Sequence, residues 1–143
     1  MKVATMRRVY LREATVILVI ARLAIRLLPP KVIFEFADRP PRHIRRFAGY
    51  EIDWVSWAVE NADKSRWASA KCLARAIAAQ TMLRRRGIAS QLCLGVARNE
   101  VTVIAHAWVE IGPKVIVGGA ERNRFTKIEE FGQKTFRRQG HAL

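Results

Sequence analysis

The sequence predicts a single α+β domain. Three observations carry this: helical spacing of apolar residues through the first half of the chain, a strongly marked helix over 69–86, and an abrupt switch to period two after Gly87. With 143 residues, half of them hydrophobic, the chain has enough apolar material for one real core. The expected organisation is one domain over 1–143, with a helical part at 1–67, a core at 68–131 and a basic tail at 132–143.

Taken in order, Leu11, Leu18, Ile25 and Leu28 recur at helical spacing over 9–28, with Arg8, Arg12, Arg22 and Arg26 elsewhere on the surface and Pro29-Pro30 as a stop. The charged residues leave only "ATVILVIA" uninterrupted, far short of the roughly 20 apolar residues of a spanning helix. No small-residue cleavage site follows, so a signal peptide is a poor reading. The helix is expected to cover the core; contact with an anionic membrane surface is a second, less favoured reading. Residues 38–49, "DRPPRHIRRFAG", form an irregular connector. In "EIDWVSWAVENA", 51–62, Ile52, Val55 and Val59 share one side and Trp54 and Trp57 add aromatic bulk to a short helix.

The helix over 69–86 has Ser69 as its N-cap, a stripe of Leu73, Ala76, Ile77, Gln80 and Leu83, cations in "RRR", and Gly87 to end it. Alternation in "ASQLCLGVA" (89–97) and "EVTVIAHAWVEI" (100–111) then predicts two antiparallel strands. "IGPK" is a turn, and "KVIVGGA" (114–120) would complete a three-stranded meander.

Charge and cysteine content narrow the function. Twenty-six Lys and Arg against 12 Asp and Glu give a net charge of +14, which favours an anionic partner, yet no recognisable nucleic-acid motif accompanies it. The two cysteines, Cys72 and Cys93, form neither a disulfide framework nor a zinc spacing, so no metal or cofactor is expected and the reducing cytoplasm is the expected location. Cys72 falls in the first turn of its helix beside Lys71, where the dipole favours a thiolate. Of three histidines, His106 alone sits on a strand, between Ala105 and Ala107, as a positioned base for a thiol nucleophile.

A nucleophile on a helix N-terminus followed by a base on a strand is the order of papain-like and transglutaminase-like enzymes. "CLARAIAAQTMLRRRGIASQLCLGVARN", "AHAWVEIG" and "VIVGG", with "RLAIRLLPP" and "WVSWAVENA" upstream and "FTKIEEF" downstream, resemble the standalone leader peptidases of lasso-peptide biosynthesis, relatives of the transglutaminase-like microcin-processing proteins. The resemblance implies a transglutaminase-like core and a cysteine protease that removes the leader from a ribosomally made precursor. It also implies a separate leader-recognition protein, and an ATP-dependent cyclase acting on the freed core. Cys72 matches the family's nucleophile and His106 its base; the Cys72 backbone N–H is the expected oxyanion donor.

The third member is less well defined. A turn at Gly112-Pro113 sets His106 opposite about Gly119, which has no side chain to orient an imidazole. Glu121 is a diagonal neighbour and the first candidate; Glu110, on the histidine's face about 13 Å along the strand, is the next, and a backbone carbonyl could serve instead. Two other functions compete: acyl transfer to an amine by the same pair, and a nonenzymatic basic module binding nucleic acid or a membrane surface.

Overall fold

The computed structural model describes residues 2–44, 49–62, 70–98, 100–119 and 125–132. Among the described residues it is an α+β fold with four helices and a four-stranded antiparallel sheet: α1 (Val3–Leu27), α2 (Pro30–Ala37), α3 (Gly49–Ala62), α4 (Ala70–Arg85), β1 (Gln91–Arg98), β2 (Val103–Ile111), β3 (Lys114–Val117) and β4 (Thr126–Phe131).

Helix α1 starts six residues before the expected position, since nothing in "VATMRR" breaks a helix. Its buried face is Tyr10, Ala14, Leu18 and Ala21, so of the expected stripe only Leu18 is buried, and Leu28 is exposed. Small residues at 14 and 21 let α3 and α4 approach closely, while the opposite face leaves Val16, Ile20, Leu23 and Leu27 exposed. Pro29-Pro30 does end α1, but Pro30 also takes the first position of α2, a helix not expected from the sequence; a fixed φ and no N–H suit proline to that place. Residues 39–44 are irregular as expected, and 45–48 lie outside the described residues.

Helix α3 buries Ile52, Val55, Ala58 and Val59, and Ser56 Oγ donates to the Ile116 carbonyl at 2.7 Å, tying it to β3. Trp54 and Trp57 pack edge to face against the core, with ring centroids 5.5 Å apart. Helix α4 spans the expected range, although its expected cap, Ser69, lies outside the described residues. Ala74, Ala76, Ala78 and Ala79 are fully buried, so this helix sits at the centre of the core with α1 and α3 on one side and the sheet on the other.

A partly buried ion cluster fixes α1 to the end of α4. Glu13 accepts Arg86 Nη2 at 2.6 Å and Nη1 at 3.0 Å, and Arg85 at 3.1 Å, while the Arg86 guanidinium lies 4.4 Å over the Tyr10 ring. Glu13→Ala leaves Arg86 half-buried beside no carboxylate and is expected to cost about 2 kcal/mol, read as a lower urea midpoint at unchanged slope.

The sheet order is β3-β2-β1-β4. The β2–β3 turn closes as expected, with Ile111 opposite Lys114, but a bulge shifts the register so that Val109 faces Val117. Strand β4 lengthens the expected meander: it pairs with the free edge of β1, anchored by Phe34 stacked on Phe131 (4.6 Å) and by Gly132 N–H donating to Asp38 Oδ1 (2.8 Å). Strand β2 is buried on both faces from Ala107 to Glu110, because Cys93, Trp108, Glu110 and Lys127 pack on one another on the face away from the apolar core.

Candidate active site

Cys72 is the third residue of α4, half-buried, with its backbone N–H in the turn whose donors point out along the helix axis. Strands β1 and β2 run antiparallel with Gly95 opposite His106, and α4 packs on β2. This brings the thiol and the imidazole into hydrogen-bond contact. Burial pushes the Cys72 thiol up, but the hydrogen bond from His106, the Ala107 backbone bond, the imidazole's charge and the Leu73 backbone bond together outweigh it, and the thiol ends below its ordinary value.

His106 is held on its other side. Its Nε2 lies 3.0 Å from the Gly118 carbonyl oxygen, which accepts that N–H and leaves Nδ1 as the nitrogen for sulfur. The ring also packs against Phe125 (4.9 Å, 27°) and Trp108 (6.0 Å, 23°). Trp108 is fixed in turn, donating Nε1–H to Glu110 Oε1 at 2.8 Å, while Glu110 Oε2 receives Lys127 at 2.9 Å.

The structure therefore joins Cys72 and His106. It places Glu110 on Trp108 and Lys127, one residue removed from the imidazole, and it puts a backbone carbonyl at Nε2. Glu121 lies outside the described residues.

Two glycines shape the pocket around the histidine. A Cβ at Gly95 would stand 2.7 Å from the Trp108 ring and 3.1 Å from Phe125, so the absence of a side chain there admits both rings. A lone glycine inside a strand is the sequence signal for such a close approach. Gly118 has φ +81°, and a Cβ on it would meet Ala107 O and Trp108 Cβ at 3.0 Å. Gly118→Ala is therefore expected to shift the carbonyl off Nε2. Its marks are a fall of about tenfold in turnover, a thermal midpoint lower by several degrees and a higher apparent thiol pKa.

The second cysteine has the opposite character. Cys93 is buried and clusters with Glu110 and Glu130, all three ligand atoms within 4.8 Å. Burial, then the Glu110 charge, pushes its thiol up to about 12, and Lys127 supplies the cation, reaching Glu130 at 2.5 Å as well as Glu110. A protonated thiol beside an ammonium is a poor metal site. Iodoacetamide near pH 7 is accordingly expected to label Cys72 alone, since a thiol of pKa about 12 is ionised to only about one part in 10⁵ there; peptide mapping reads the result.

Among the described residues, no helix is long and apolar enough to cross a membrane. The family model described as the transglutaminase-like superfamily matches residues 15–130, which takes in α4, β1, β2 and β3. No curated protein and no solved structure matches the chain.

Proposed function

The chain belongs to the transglutaminase-like superfamily, typically cysteine-dependent proteases and acyltransferases, and from that premise we propose that it is a cysteine peptidase releasing the leader from a ribosomally made lasso-peptide precursor. The observation that carries the peptidase reading is the contact of the Cys72 thiol with a histidine that is itself oriented by the Gly118 carbonyl. The precursor as substrate rests on the likeness of "CLARAIAAQ" and "AHAWVE", with their surroundings, to the leader peptidases.

In this reading the Cys72 thiolate attacks the scissile carbonyl, and the Cys72 backbone N–H stabilises the oxyanion. His106 Nδ1 gives its proton to the leaving amine. A thioester on Cys72 remains, and His106 takes a proton from the water that hydrolyses it. Gly118 O holds the imidazole through both steps. A separate leader-recognition protein presents the substrate, the lasso cyclase takes the freed core, and the compartment is the reducing cytoplasm.

The test is mass spectrometry of the precursor with its recognition protein and either wild type or Cys72→Ala. Separate leader and core fragments with wild type alone support the reading. An amine adduct in place of a hydrolysed product identifies acyl transfer instead. Equal products with both proteins, or none with either while the partner binds the leader, return the basic chain to a binding role.

A further inference from the structure

The end of α4 far from Cys72 bounds a cavity of about 660 Å³. Arg39 and Arg42, from the segment after α2, line it together with Arg84, Arg85 and Arg86, with the Phe36 ring in the wall and no carboxylate among the described lining residues. Glu13 neutralises one of the charges on Arg85 and Arg86. Arg39, Arg42 and Arg84 make no ion pair among the described residues.

Arg84 is the most constrained of the set. Its Nη2 donates to the Ala37 carbonyl at 3.2 Å, and its Nη1 is buried with no hydrogen-bond partner among the described residues. Its guanidinium lies 4.7 Å from the Phe36 ring centroid, and that of Arg39 lies 6.0 Å from the same ring. Burial, then the charge of Arg39, pushes Arg84 down to about 10. Two like charges are thus held on one aromatic ring at the wall of a half-open cavity, with a donor left over. Such an arrangement is unfavourable until an anion enters.

We propose that this cavity binds an oligophosphate, a ligand carrying several negative charges on adjacent phosphoryl groups. Five guanidiniums against the single carboxylate of Glu13 ask for a compact, multiply charged partner. An extended peptide presents same-side carboxylates only about 7 Å apart, each with one charge, whereas a triphosphate concentrates more charge in that length and offers each arginine fork a pair of oxygens. The cavity lies about 18 Å along α4 from Cys72, so a bound ligand leaves the thiol accessible. It would join the segment after α2 to the end of α4 and stabilise the fold by linkage.

Calorimetric titration of the full chain with inorganic tripolyphosphate at physiological salt tests this, using wild type, Arg39→Gln, Arg84→Gln and, as a control on the exposed side of α1, Arg12→Gln. Arg39→Gln and Arg84→Gln are each expected to weaken binding about tenfold, and Arg12→Gln less than about twofold. Tripolyphosphate should also raise the thermal midpoint of wild type more than that of Arg39→Gln. Should Arg84→Gln lose its fold by circular dichroism, Arg39→Gln carries the comparison. In a second arm, tighter binding of a nucleoside triphosphate than of tripolyphosphate identifies a nucleotide as the source, and equal binding identifies the phosphate chain alone. No binding, an equal loss in Arg12→Gln, or hexaglutamate binding as tightly as tripolyphosphate overturns the proposal.

Discussion

Replacing Cys72 with alanine is expected to lower precursor cleavage by a factor on the order of 10⁴ or more while leaving the fold intact. Removing a covalent nucleophile leaves only substrate positioning and oxyanion stabilisation, which sustain a small residual rate. The structural cost is low, because Cys72 is half-buried at the start of a helix otherwise rich in alanine, and loss of one small side chain there leaves no sizeable cavity. Single-turnover cleavage with the recognition protein, set beside a thermal melt, separates the two effects. Cleavage within tenfold of wild type by a folded Cys72→Ala protein would remove the thiol from the mechanism.

His106→Ala is expected to lower the same rate by about 10³-fold and, independently of any substrate, to move the alkylation profile of Cys72 to higher pH. The sign follows from the opposing influences on the thiol. Burial raises its pKa, and the hydrogen bond and charge of His106 are two of the four influences that lower it, so removing the imidazole moves the thiol upward. In wild type the depressed thiol adds stability above the unfolded thiol pKa, and that contribution is lost as pH falls through the folded value. The variant should lose this rise in stability between the two values. Urea unfolding across that range checks it without cleavage chemistry, and an unchanged alkylation profile would show that the histidine does not ionise the thiol.

Much of this site is legible in the chain because its parts lie on strongly patterned elements. The run from Ala70 to Arg85 and the alternation around His106 announce a helix and a strand, and small residues on both allow the thiol and imidazole to meet. Helix α2 is hidden because Pro29-Pro30 reads as an end, although the second proline also begins a helix. Strand β4, "TKIEEF", offers little hydrophobic alternation: its Lys127 and Glu130 join Glu110 in a polar cluster instead of entering the apolar core. The partner of Nε2 is hard to read for a different reason. A carbonyl belongs to every residue, so only the fold selects Gly118 for the task.

That choice of partner changes what natural variation can do to the enzyme. Where a carboxylate orients a histidine, a single codon change deletes the group outright, and the group's own protonation adds an acid limb to the activity profile. Here the orienting atom is present whatever residue occupies position 118, and it has no proton to gain in the working range. Selection at this position therefore acts on the path of the chain: on a φ of +81° and on the room between Ala107 and Trp108.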